Sequence, residues 1–199
     1  MIRYFLQGDF MMWPLLLCSI ISLAVIIDRF FYFYRLDSMH KKINKPLRRA
    51  FDKRDLEELY KICRQNPSPL SHILIAGITK VKAGRDIVNS AMDESAIDQM
   101  PAIENRLVVL STIASISTLL GFTGTVIGMI KAFQSIAREG ISSPTIVAQG
   151  ISAALITTAS GLIIAIPTIV FYHYFSHRAN REALVIEKYS KELLGLFEH

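Results

Sequence analysis

The sequence predicts an all-α, polytopic membrane protein with three transmembrane helices, a helical cytoplasmic segment and a helical C-terminal tail. Three observations predict it. About half of the 199 residues are hydrophobic and only 20% are charged, against about 25% charged in a typical soluble domain. The charge is unevenly placed: between Leu107 and Tyr172 the only charged residues are Lys131, Arg138 and Glu139. Apolar runs of membrane-crossing length alternate with basic, helix-patterned stretches. The composition argues against a disordered chain and a disulfide scaffold. The two cysteines, Cys18 and Cys63, lie in different surroundings and do not suggest a bridge.

The first span runs from about Met11 to Ile27, an uncharged stretch near the lower length limit for crossing a bilayer. Phe30, Phe31, Tyr32, Phe33 and Tyr34 extend it with aromatics suited to an interface. Pro14 stands near its start, where a missing N–H costs least. The competing reading as a signal peptide lacks a small-residue cleavage site.

The polar segment that follows holds 15 Lys/Arg between Arg29 and Arg106. Asp52 to Asn66 places Leu56, Leu59, Tyr60 and Cys63 at helical spacing, and Pro67 and Pro69 end that helix. Ser71 to Val81 and Ile87 to Met100 read as further helices, broken apart at Gly84. Pro101 either starts a helix or kinks a longer one.

The second span is Leu107 to Ile130, and its 24 residues rise about 36 Å as a helix. The third lies within the uncharged stretch Ile141 to Tyr172, centred on Ala153 to Phe171, with Pro167 loosening it late. From His177 onward the tail has helical pattern. Ile186, Tyr189, Leu193 and Phe197 share one face, and Arg181, Lys188 and Lys191 help line the other.

The middle segment and tail carry 19 of the 22 Lys/Arg, 15 plus 4, which orients the N-terminus outward and both polar parts toward the cytoplasm. The net charge of +5 is therefore a signal of topology and of attraction to anionic lipid, not of nucleic-acid binding. The expected division is 1–34 for an outward-facing N-terminus and first span, 35–106 for the cytoplasmic segment and 107–133 for the second span. An outward-facing loop over 134–144, the third span over 145–175 and the cytoplasmic tail over 176–199 complete it.

Helices in lipid associate through close packing and hydrogen bonds. In the second span Ser111, Ser115, Thr118 and Thr125 fall on one face, and Gly121, Gly124 and Gly128 lie beside them, the last two as a GxxxG pair. In the third, Ala154, Thr158, Gly161 and Ala165 make a narrow small-residue stripe. Two readings stand side by side: these faces pack helices, or they line a polar path. No Asp, Glu, Lys, Arg or His lies inside a span as drawn, so a proton relay would need its carboxylate from another polypeptide. Asp9, Asp28, Glu104 and Glu139 read as interfacial. His40, His72, His173, His177 and His199 fall in loops, interfaces or the tail, with His173 and His177 four apart. No catalytic triad, phosphate loop, metal cluster of familiar spacing or cofactor site is visible, and no enzyme is expected.

Leu119 to Met129, LLGFTGTVIGM, and Gly150 to Pro167, GISAALITTASGLIIAIP, resemble the paired span motifs of the MotA/TolQ/ExbB proton channel family, in its three-span ExbB/TolQ branch. Asp28-Arg29 resembles that family's acidic-Arg pair. The resemblance implies a homopentamer in the bacterial inner membrane. Spans two and three would line a pore that holds a dimer of an ExbD/TolR-like single-span partner. That partner's membrane aspartate would carry the proton, and work would pass to a TonB- or TolA-like protein. By motif position Thr125 and Thr158 would serve the proton path, with Thr157, Ser115 and Thr118 beside them. Gly121, Gly124, Gly128, Ala154, Gly161, Ala165 and Pro167 would serve helix packing. Ala153 stands where many members carry Glu.

Overall fold

A computed structural model describes residues 10–139 and 144–196. Among them the chain is helical, with no strand. Five helices follow in order: α1 Met12–Asp52, α2 Leu56–Gln65, α3 Pro69–Thr79, α4 Arg85–Glu139 and α5 Pro144–Gly195. A 3-10 turn over Val81–Ala83 precedes α4.

Three of these, α1, α4 and α5, are long and apolar enough to cross a membrane. Only 17%, 39% and 28% of their respective apolar windows are buried within the chain. Leu17, Leu23, Phe122, Ile163 and Val170 are among the side chains left exposed. Surface of this kind needs lipid or other polypeptides against it.

The helices run further than the apolar pattern alone predicts. α1 continues past the interfacial aromatics to Asp52, through Pro46. Its extension buries Phe33, Leu36, Ile43, Leu47 and Ala50, an apolar stripe at helical spacing. It stops in a Schellman motif: Arg54 takes φ 55°, its N–H donates to Phe51 O at 3.0 Å, and the Asp55 N–H donates to Ala50 O at 3.1 Å. Asp55 then caps α2, accepting from the N–H groups of Glu57 at 3.0 Å and Glu58 at 2.9 Å. The helix expected from Asp52 thus begins at Leu56 instead, because residues 53–55 are used to reverse the chain.

Ser68 caps α3, accepting from the Ser71 N–H at 3.1 Å, and Pro69 sits in its first turn. The break expected at Gly84 is present, with φ 100°. α4 then runs unbroken from Arg85 through Pro101 to Glu139. Of the two outcomes left open for Pro101, a place inside a longer helix is the one observed. The expected loop over 134–144 is partly helical, with α4 reaching Glu139 and α5 starting at Pro144; residues 140–143 lie outside the described residues. So do Arg3, Asp9, Phe197 and His199.

The chain divides into two compact units. One comprises the chain up to Ile27 together with Leu107–Tyr174; the other comprises Asp28–Arg106 with Phe175 onward. In the second, Leu47, Leu59, Ile73, Leu74, Val88 and Leu193 are fully buried. Ile186, Tyr189 and Leu193 of the tail face inward there, as their spacing predicts.

Candidate helix-pair site in the spans

Within the first unit, α4 and α5 meet along small residues, antiparallel. Residues 110, 114, 117, 121, 124 and 128 of α4 recur at spacings of four and three, which keeps them on one face. Leu110, Ala114 and Ser117 are buried, as are the three glycines.

Each contact is close enough to require the residue that makes it. A Cβ on Gly128 would lie 2.7 Å from Cβ of Ala154, and one on Gly150 would lie 3.0 Å from Cβ of Ala132. One on Gly124 would overlap the Thr157 side chain. One on Gly161 would lie 2.6 Å from the Ser117 carbonyl oxygen and 3.0 Å from Gly121 Cα. The Thr158 Oγ1 donates to the Gly121 carbonyl oxygen at 2.9 Å, a hydrogen bond that joins the two helices.

Of the predicted small-residue stripe, Ala154, Gly161 and Ala165 are buried and Thr158 is half-buried. Thr157 is buried against Gly124 and donates to Ala153 O at 2.9 Å. Pro167 lies inside α5 and is exposed.

The hydroxyls of the second span behave differently. Ser115 and Thr118 are exposed, and Ser111 and Thr125 are half-buried. Each donates back to its own helix: Ser115 to Ser111 O at 3.1 Å, Thr118 to Ala114 O at 3.0 Å and Thr125 to Phe122 O at 2.6 Å. Their hydrogens are engaged, while their oxygen lone pairs remain able to accept. The structure does not bring Thr125 into a hydrogen bond with Thr158.

Ser117 was not singled out by the sequence reading. It is fully buried and its Oγ has no hydrogen-bond partner among the described residues. Its place in the four-three spacing with Gly121 and Gly124 is the signal that finds it. Further along the α4–α5 contact is a crevice of about 40 Å³, lined by residues that include Gly124, Lys131, Gly150, Ala153 and Thr157. It has room for a water.

In the other unit, the Asp28-Arg29 pair is a structural clamp. Arg29 is buried; Nε donates to Asp28 Oδ2 at 3.0 Å, and Nη1 donates to Ala102 O at 3.1 Å. Its guanidinium lies over the Tyr32 ring, 4.5 Å from the centroid. Arg106 also pairs with Asp28. The Arg106 hydrogen bond, aided by Arg29, holds the Asp28 carboxyl below the usual range. The clamp thus ties the residues after the first span to the segment just beyond Pro101.

Residues 65–188 match the MotA/TolQ/ExbB proton channel family. The biopolymer transport protein exbB1 of Vibrio cholerae is 28% identical over 186 residues, which cover 91% of this chain and 81% of that protein. A putative ExbB-like transport protein of Synechocystis is 22% identical over 94% of this chain and 90% of its own length. The Tol-Pal system protein TolQ of Haemophilus influenzae is 37% identical over 100 residues, half of this chain and 42% of TolQ. With three membrane-length helices and a family match that spans two of them, the chain belongs to the MotA/TolQ/ExbB proton channel family.

Proposed function

We propose that this chain is the pore-forming subunit of an ExbB/TolQ-like, proton-driven motor in the bacterial inner membrane. Five copies enclose a dimer of an ExbD/TolR-like single-span partner, whose membrane carboxylate carries the proton. The work is passed to a TonB- or TolA-like protein. The N-terminus faces the periplasm, and residues 35–106 and 176–199 face the cytoplasm.

The observation that carries this reading is the spans' chemistry. Exposed and half-buried hydroxyls at Ser115, Thr118 and Thr125 lie on a span from Leu107 to Ile130 that contains no charged residue. An ionised carboxylate against a wholly apolar wall would cost several kcal/mol, and hydroxyls lower that cost without trapping the charge as Lys or Arg would. A proton crossing 100 mV releases about 2.3 kcal/mol, enough for a modest conformational step.

The test is proton flux in liposomes that hold this chain with its single-span partner. Flux that requires the partner's membrane acid, and that falls strongly in Thr125→Val while the oligomer persists, is the expected result. Wild-type flux in Thr125→Val/Thr158→Val would remove these threonines from the path. The packed α4–α5 pair also suits a scaffold that clusters a partner without ion flux; partner-dependent flux separates the two.

A further inference from the structure

Within the unit made of Asp28–Arg106 and Phe175 onward, two titratable side chains are buried against each other. His40 on α1 places Nε2 3.4 Å from Oε2 of Glu182 on α5, and the side chains are only 19% and 11% exposed. Nε2 is a buried nitrogen with no hydrogen-bond partner among the described residues.

The surroundings hold the pair in place. Phe33 of α1 stacks on Phe175 of α5 with ring centroids 5.7 Å apart. The Tyr189 hydroxyl donates to Asn44 Oδ1 at 2.5 Å. Asp37 is ion-paired with Arg178 at 2.5 Å. The charged groups that face Glu182 are Asp37 from α1 and Arg178 and Arg181 from α5, with the Tyr32 phenol of α1 also within its field. His40 also lines a cavity of about 240 Å³, together with Asn44, Arg48, Lys188 and Tyr189 among others. That space admits water to the imidazole.

Charge counting favours one occupancy. With both groups protonated the buried pair carries a net positive charge, and with neither protonated a net negative one. With one proton between them the pair is neutral overall, and an N–H or O–H can close the contact into a hydrogen bond.

We propose that His40 and Glu182 form a one-proton binding site outside the spans, and that its occupancy fastens the tail part of α5 to α1. The ligand is a proton, exchanged through the neighbouring cavity. The local environment places occupancy near neutrality. Burial pushes the Glu182 carboxyl up to about 7, with Asp37 adding to the rise and Arg178 and Arg181 opposing it. Burial pushes the His40 imidazole below its ordinary value, against the pull of Asp37.

The signs follow. The carboxyl's raised value means its contribution is fully present below about 4.5 and is lost as pH rises through about 7. The imidazole's lowered value means its contribution is present above 6.5 and is lost as pH falls through its lower folded value. Above 6.5 the imidazole's contribution is constant, so the fastening loosens as pH rises through about 7. This goes beyond the proposed motor function and does not require that the spans conduct.

The experiment uses the full chain in detergent micelles. Infrared spectra of wild type with side-chain-labelled glutamate should show a protonated carboxyl band at about pH 6 that disappears by about pH 8. The band should be absent in Glu182→Gln. Hydrogen exchange, corrected for intrinsic rates, should show amide protection across residues 182–189 falling about fourfold between about pH 6.5 and pH 8.5 in wild type, and staying flat in Glu182→Gln. A labelled carboxyl that titrates wholly below about pH 5.5, or equal pH dependence of protection in both chains, overturns the proposal. The wild-type infrared reading decides even if the variant fails to fold. Neither readout involves proton flux, so failure of the motor reading leaves the result intact.

Discussion

Replacing Gly161 by alanine is the sharpest probe of the α4–α5 contact. Its new Cβ would stand 2.6 Å from the Ser117 carbonyl oxygen, 3.0 Å from Gly121 Cα and 3.2 Å from Gly121 N. All three are backbone atoms, so no rotamer change relieves them and the helices must separate. Reaching an ordinary contact of about 3.4 Å asks for a shift of roughly 0.8 Å, a gap that forfeits a quarter to a half of each dispersion well opened along the seam. The same shift takes the 2.9 Å hydrogen bond from Thr158 to Gly121 O to about 3.7 Å, past useful length. Overpacking costs about 1–3 kcal/mol and a membrane hydrogen bond about 0.6 kcal/mol, so a total of about 2–4 kcal/mol is expected. Unfolding of the full chain in mixed micelles, followed by denaturing-detergent titration, reads it. Gly195→Ala, with nothing within 4 Å of its Cβ, should stay within about 0.5 kcal/mol of wild type. Gly121→Ala, whose nearest atoms lie at 3.3 Å, should fall between the two. Gly161→Ala as stable as Gly195→Ala would refute the seam as described.

Arg29→Lys should cost about 1–3 kcal/mol, because an ammonium cannot reach Asp28 and the Ala102 carbonyl together; thermal unfolding measures it. Asp55→Ala removes the acceptor for two N–H groups of α2 and should cost about 1 kcal/mol, with Asp55→Asn close to wild type. Cys63 is buried, and burial pushes its thiol up to about 11 despite a Ser71 hydrogen bond. A raised thiol keeps its neutral form, so its contribution to stability is present below about 9 and is lost only as pH rises toward 11. Maleimide labelling at about pH 8 should be at least a hundredfold slower than for an unfolded control, as read by mass spectrometry; equal rates would mean the site opens freely.

The fold was legible where one local signal dominated. Apolar runs placed the three spans, and Gly84 and the Pro67–Pro69 pair marked breaks because a positive φ or a missing N–H acts locally. Helix continuation was less legible. Pro101 leaves two outcomes open in the sequence, and α4 passes through it; α1 likewise passes through Pro46. The burial of Ile43, Leu47 and Ala50 after the first span outweighs a local defect worth about 3 kcal/mol. Adjacent threonines posed a different problem. Thr157 and Thr158 differ by one helical step, and spacing alone could not say that the first is buried against Gly124 while the second bridges to Gly121. Ser117 does not belong to the hydroxyl face of the second span; its spacing places it on the glycine face. The His40–Glu182 pair joins residues 142 positions apart, 182 less 40, and no local pattern announces it.

The direction of the hydroxyl bonds bears on how the proposed pore would treat a passing acid. Thr125 donates to Phe122 O and Thr158 to Gly121 O, so the hydrogens of both threonines are engaged and their oxygens are left to accept. A protonated carboxyl, which has a hydrogen to give, is met well by such a wall. An ionised carboxylate is an acceptor only, so each threonine must first rotate its hydrogen away from a backbone carbonyl. That carbonyl belongs to a helix and keeps its main-chain partner, so each rotation costs on the order of 1 kcal/mol. Two rotations cost about 2 kcal/mol, comparable to the 2.3 kcal/mol that a proton releases across 100 mV. The wall would then favour the protonated acid at rest and accept the ionised one at a cost that one proton can offset. Thr→Val at either position removes the acceptor and the rotor together, whereas Thr→Ser keeps both. Flux that survives serine but not valine is the pattern this chemistry requires; equal loss in both would point to the methyl group and to packing instead.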